Sequence, residues 1–250
     1  MHPFVHIFGH KFMSYDLMTF FAMTAACIYF YHSFAEIPIK KNQVLIYIVF
    51  HLLVSFFGGM ILPLLYRSIY LHQTPWINVL ERSPGRYFHS VFLSLLVYTV
   101  IISKWWRWPV WKVLDRFIVG FLLGSAIGRI GCFLQGCCKG KPCDLPWAVH
   151  VPPNLEIARH PTQAYMFILE STLVVFLWYF LKNKKKYDGQ TFWVGLLLYS
   201  FYRFLIEYLR TNPVAVLGLT HAQIFSAFAI ILSSVLLLRQ KDTLSDGRKI

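Results

Sequence analysis

Arg129, Arg203, Arg210, Glu170 and Glu207 lie in or at the edge of stretches that are largely apolar. Arg129 sits deep in one run and Glu170 within another, while Arg203, Glu207 and Arg210 follow at i, i+4 and i+7, on one face of a helix. A charge in an apolar run is costly, so such residues face a polar cavity or a partner. Two arginines on neighbouring helices present planar donor forks suited to a phosphate or a carboxylate. A plainer reading is a pair of structural salt bridges, Arg203 with Glu207 above all, and charge alone leaves both open.

Around Arg129 runs Gly128-Arg129-Ile130-Gly131-Cys132-Phe133-Leu134-Gln135-Gly136-Cys137-Cys138-Lys139-Gly140, whose glycines let backbone approach a ligand or another helix closely. The stretch Arg159-His160-Pro161-Thr162-Gln163-Ala164-Tyr165 enters the next apolar run, with Pro161 suited to a first helical turn and Thr162 and Gln163 able to cap it. His89 opens an apolar run beside basic loop residues and is a better general-base candidate than His160. Tyr15 and Asp16 open the first run.

Of five cysteines, Cys132, Cys137, Cys138 and Cys143 fall within twelve residues, and Cys27 stands apart. Structural zinc sites favour C-x2–4-C. The neighbours Cys137 and Cys138 are expected to point apart, so no metal and no cofactor is expected. A disulfide fits an oxidising outer compartment. Cys27 reads as small apolar packing.

These residues need elements to hold them. Apolar residues make up 57% of the 250 and charged residues only 14%, against about 25% charged in soluble domains. That predicts an all-α polytopic membrane protein, because lipid offers no partner for an unpaired backbone N–H. Seven spans are expected, at about Tyr15–Phe34, Val44–Tyr66, Tyr87–Ser103, Val110–Leu134, Ala164–Leu181, Phe192–Leu209 and Leu219–Leu238. The net charge of +13 is spread in short clusters between these runs, which argues against nucleic-acid binding.

One set of loops and ends holds Lys40, Lys41, Lys104, Arg107, Lys112, Lys182, Lys184, Lys185, Lys186, Arg239, Lys241, Arg248 and Lys249. The other holds Lys11, Arg67, Arg82, Arg86, Lys139, Lys141, Arg159 and Arg210. The richer side is expected in the cytoplasm. The N-terminus then faces out, the C-terminus faces in, and loops 67–86 and 135–163 are outer. A single transmembrane domain over 1–250 is expected, with no cleavable signal peptide and no internal repeat.

At these motifs the sequence resembles the prolipoprotein diacylglyceryl transferase family of the bacterial inner membrane. The family's G-R-x-G-N-F-x-N-G-E, followed by W-G, matches Gly128-Arg129-Ile130-Gly131 and then Gly136 and Gly140. Its R-H-P-[ST]-Q-x-Y matches Arg159 to Tyr165 without a gap, and its F-R-x-x-x-E-x-x-R matches Arg203, Glu207 and Arg210. An early tyrosine matches Tyr15, the histidine of F-H-G-G-L falls on His89, and a glycine pair matches Gly58-Gly59. Several positions depart from the pattern. Cys132 replaces an asparagine, Cys137 an acidic residue, and Ser90-Val91 the two glycines after the histidine, while Met166 stands where an acidic residue follows the tyrosine.

The resemblance implies transfer of a diacylglyceryl group from phosphatidylglycerol to the lipobox cysteine of a preprolipoprotein, with an active site toward the outer leaflet of the bacterial inner membrane. His89, Arg129 and Arg203 are the expected catalytic residues. Tyr15, Cys132, Gly140, His160, Gln163, Glu207 and Arg210 are the expected substrate-binding residues. Cys132 reads as pocket lining, since an alkyl thioether formed on it would not break down. Two alternatives are the same scaffold with a different acceptor and a periplasm-facing thiol–disulfide oxidoreductase, the latter weakened by the lack of C-x-x-C. A transporter is disfavoured, because no repeat of that kind is visible.

Overall fold

Why the chain folds as it does is clearest from what its helices leave uncovered. The computed structural model describes residues 4–7, 10–70, 88–151, 154–212 and 217–245. Seven helices are found among them: α1 (Ser14–Phe34), α2 (Lys41–Tyr70), α3 (Phe88–Trp105), α4 (Val110–Gln135), α5 (Thr162–Asn183), α6 (Gln190–Glu207) and α7 (His221–Ser245). Each coincides with an expected span to within a few residues at most ends. Large apolar side chains such as Phe20, Ile28, Ile168, Val175, Phe201, Phe228 and Ile231 stand exposed along them. In water such a surface would aggregate; in a bilayer it has a solvent. Lys182 lays its ammonium over the Trp178 ring, 4.5 Å from the centroid, as interfacial lysines and tryptophans do.

Among the described residues, five helices are long and apolar enough to cross a membrane: α1, α2 over Lys41–Gly59, α4, α5 and α7 over His221–Gln240. Helix α3 is a shorter apolar helix. Helix α6 is not one of the five, for a physical reason: its buried face carries Ser200, Arg203 and Glu207. Two features lie beyond the all-helical expectation. Strand β1 (Phe4–Ile7) pairs antiparallel with β2 (His10–Met13), and β3 (Val149–Val151) with β4 (Asn154–Arg159). The second hairpin gives order to part of the loop expected at 135–163. Helix α2 continues to Tyr70, so residues 67–70 of the other expected outer loop are helical. The rest of that loop, 71–86, lies outside the described residues.

The chain divides into two compact units, residues 1–28 with 115–250 and residues 29–114. In the second unit, Gly58 of α2 lies against Ser94 of α3; a Cβ on it would stand 2.5 Å from the Ser94 Cβ. Ser90, which replaces a glycine of the family pattern, donates its hydroxyl to the Gly58 carbonyl. Tyr47 binds Thr99 through their hydroxyls at 3.0 Å, and Tyr98 donates to the Tyr47 carbonyl at 3.0 Å. Phe30, Phe34, Tyr47, His51 and Tyr98 form the aromatic core of this unit.

In the first unit, Asp115 of α4 accepts hydrogen bonds from the backbone N–H groups of Gly189 and Phe192, both at 2.9 Å, and Lys185 pairs with it at 3.3 Å. A fully buried carboxylate from another helix thus caps the positive end of α6. Gly195 of α6 fits between Leu177 and Ile118, and Gly131 of α4 fits against Tyr15 and Met18 of α1. These two glycines set how closely α6 and α1 approach α4 and α5.

Candidate active site

Three helix ends meet in the first unit: the C-terminal ends of α4 and α6 and the N-terminal end of α5. Arg129 on α4 donates from Nε to Glu170 Oε1 on α5 at 3.1 Å. The carboxylate is fully buried and the guanidinium nearly so. On α6, Arg203 donates to Glu207 one turn on, and Arg210 Nε lies 3.6 Å from the same carboxylate. Glu207 Oε1 also accepts from Asn212 at 2.6 Å and Thr220 at 3.0 Å. That carboxylate is saturated and fixes the chain that leaves α6.

The plain reading of the charges as ion pairs is therefore present, and it coexists with the other. Three guanidiniums are gathered against two carboxylates, which leaves a net positive site in an apolar surround. Arg129, Arg203 and Glu170 all act electrostatically on Tyr199 and Tyr202 of α6. Glu170 Oε2, Gln163 Oε1 and Tyr202 Oη are buried with no hydrogen-bond partner among the described residues. Buried polar atoms in native proteins have partners, so each of these atoms calls for a polar ligand or water.

The R-H-P-T-Q segment clamps the loop after α4. Gln163 donates its amide to the Cys137 carbonyl at 2.5 Å, and the Thr162 hydroxyl donates to the Cys138 carbonyl at 2.8 Å. Arg159 Nη1 donates to the Gly140 carbonyl at 3.2 Å, and the N–H of His160 donates to the Lys141 carbonyl at 3.1 Å. Lys141 N–H in turn donates to Leu209 at the end of α6, at 2.7 Å. Gly140 has no room for a side chain, since a Cβ would stand 2.5 Å from the His160 carbonyl oxygen and 3.0 Å from that of Leu209.

Of the residues expected from sequence, the fold brings together Arg129, Arg203, Cys132, Gly140, Gln163, Glu207 and Arg210 at these three helix ends. Tyr15 joins them through α1, its Cα 3.3 Å from where a Gly131 Cβ would be. His160 packs its ring against Tyr165, centroids 6.2 Å apart, and the Tyr165 hydroxyl accepts from Trp147 at 2.7 Å. His89 is half-buried on the first turn of α3, in the other compact unit. Sequence reasoning did not single out Tyr199, Tyr202, Asn212 or Thr220. Tyr199 lies one turn before Arg203 on the same face, a signal that was legible. Asn212 and Thr220 lie in a connection, where no periodicity marks them.

The expectation that Cys137 and Cys138 point apart is overturned. Cys138 takes φ 58°, in the left-handed region, and Gly136 takes φ 71°. This turn brings the sulfur atoms of Cys132, Cys137 and Cys138 to within 4.8 Å of one another. The Cys138 thiol is pushed well below the ordinary thiol range, first by hydrogen bonds from Cys132 and Cys137, then by the Arg210 and Arg129 guanidiniums. A shallow groove of about 560 Å³ on α5, lined by Ser171, Thr172, Val175, Phe176 and Tyr179, contains none of the site residues.

The sequence model of the prolipoprotein diacylglyceryl transferases matches residues 3–239. A phosphatidylglycerol–prolipoprotein diacylglyceryl transferase of Campylobacter hominis is 30% identical over 243 residues, covering 90% of this chain and 86% of the relative. One of Clostridium tetani is 29% identical over 234 residues, covering 90% and 92%. One of Dehalococcoides mccartyi is 35% identical over 179 residues, covering 64% and 68%. With nearly the whole length matched and the arginine, glycine and R-H-P-T-Q motifs assembled at one end of the first unit, the chain belongs to the prolipoprotein diacylglyceryl transferase family.

Proposed function

We propose that this membrane protein moves a diacylglyceryl group from phosphatidylglycerol to the thiol of a lipobox cysteine in a preprolipoprotein. The observation that carries the reading is the buried arginine cluster beside polar atoms that have no hydrogen-bond partner among the described residues, in a chain that matches the family over nearly its full length. Arg129 and Arg203 hold the phosphate and stabilise the charge that develops on the leaving oxygen. Tyr15, Cys132, Gly140, His160, Gln163 and Arg210 shape the headgroup pocket, and Glu207 orients the two arginines of α6. His89 accepts the proton of the acceptor thiol. The sulfur forms a bond to the glyceryl carbon, the bond from that carbon to the phosphate oxygen breaks, and glycerol phosphate leaves with the electron pair.

Loop charge supports seven spans with the N-terminus out and the C-terminus in, so that the site opens to the outer leaflet of the bacterial inner membrane. A reporter fused after Ile250 is then cytoplasmic; a periplasmic reading would overturn this placement. The reaction is tested with purified protein, phosphatidylglycerol and a lipobox peptide. Mass spectrometry should show the peptide gaining a diacylglyceryl group as glycerol phosphate appears. No mass gain with any thiol acceptor refutes the reading.

A further inference from the structure

Three thiols converge where the family pattern carries none at two of the positions. Cys132 is in the last turn of α4, and Cys137 and Cys138 lie in the loop that follows. Their sulfur atoms all lie within 4.8 Å of one another. Around a tetrahedral zinc with Zn–S bonds of about 2.3 Å, neighbouring sulfurs stand about 3.8 Å apart. Small side-chain rotations cover the difference. The backbone is arranged for convergence, since Cys138 occupies the left-handed region that non-glycine residues rarely adopt.

The loop is also supported. Gln163 holds the Cys137 carbonyl, Thr162 holds that of Cys138, and the Cys137 N–H donates to the Cys132 carbonyl at 3.1 Å. None of the three is in a disulfide. Cys132 is buried, and Cys137 and Cys138 are half-buried, so an ion can reach them and remain shielded.

We propose that Cys132, Cys137 and Cys138 bind a thiophilic closed-shell cation, zinc in the simplest case, as three thiolate ligands with the fourth position open. Sulfur donors select zinc or copper(I) over hard cations. An open fourth position distinguishes this arrangement from closed structural zinc sites. Binding deprotonates the thiols, and the protons go to solvent. A divalent ion with three thiolates carries one net negative charge, and Arg129 and Arg210 are close enough to act on Cys138. The inference stands on the three sulfurs and does not depend on the transferase reading.

The test uses the full chain, purified in detergent under reducing conditions and stripped of metal. Titration with cobalt(II) should give one equivalent of binding with a thiolate-to-cobalt charge-transfer band, and zinc should displace it. Cys143→Ser and Cys27→Ser should bind like the unsubstituted protein. Cys132→Ser, Cys137→Ser and Cys138→Ser should each abolish the band. Because Cys132→Ser could disturb the end of α4, X-ray absorption of the zinc-loaded unsubstituted protein provides a second measurement. It should show three sulfurs at about 2.3 Å. A band that survives in the triple serine variant, a shell of nitrogen and oxygen alone, or three reduced thiols with no metal uptake would each overturn the proposal.

Discussion

Replacing Gly140 by alanine adds one methyl group at the point where the loop after α4 is pinned between two other chain segments. The new Cβ would stand 2.5 Å from the His160 carbonyl oxygen, 2.6 Å from the His160 Cβ and 3.0 Å from the Leu209 carbonyl oxygen. Two of these three are backbone atoms, so no side-chain rotation relieves the clash. Restoring an ordinary contact near 3.4 Å requires about 0.9 Å of backbone movement from the 2.5 Å start. That movement strains the Lys141-to-Leu209 and His160-to-Lys141 hydrogen bonds, and with them the loop held by Gln163 and Thr162. Overpacking of this kind costs about 1–3 kcal/mol. A misplacement of about 1 Å can cost on the order of 100-fold in rate. Gly140→Ala is therefore expected to lower melting temperature by several degrees, about 2–4 °C for each kcal/mol. It should also lower diacylglyceryl transfer per folded molecule by roughly two orders of magnitude. The assay is lipobox-peptide lipidation by mass spectrometry, beside a thermal melt of the same preparation. Unchanged melting and unchanged turnover would refute the claim that this loop's position is fixed at Gly140.

Gly128→Ala is the opposite case. A Cβ there meets nothing within 4 Å, so stability should hold or rise by up to about 1 kcal/mol, while turnover falls if substrate uses the space beside Arg129; full turnover would show that it does not. Arg129→Lys and Arg203→Lys should each cut transfer roughly 10–100-fold, the loss of one charge-assisted hydrogen bond of about 1.5–3 kcal/mol; full activity in both variants would remove these residues from phosphate binding. His89→Asn should slow turnover by about 10²–10⁴-fold with a normal melting temperature, whereas a stability loss with normal turnover would sink the general-base assignment. Asp115→Ala leaves two buried N–H donors at the start of α6 without their acceptor and should cost about 2–4 kcal/mol in reversible detergent unfolding, with activity recovered per folded molecule.

The helices were legible in the sequence because lipid imposes a simple criterion: long apolar runs must be helices. The expected run at Val110–Leu134 and the helix Val110–Gln135 differ by one residue for that reason. The pairing of Arg203 with Glu207 was legible because it follows from helical spacing, and the arginine motifs were legible through the family pattern. Tertiary structure alone decided three things. Glu170 became the partner of Arg129, because α4 and α5 place them side by side across forty-one positions of sequence. Asp115 became the cap of α6 across more than seventy. The left-handed turn at Cys138 brought three thiols together, where local spacing implied that they would diverge. Spacing rules describe chains whose backbone is relaxed, and this loop is held out of that state by Thr162, Gln163 and the end of α6. Those forces come from distant segments, so no window of sequence around the cysteines contains them.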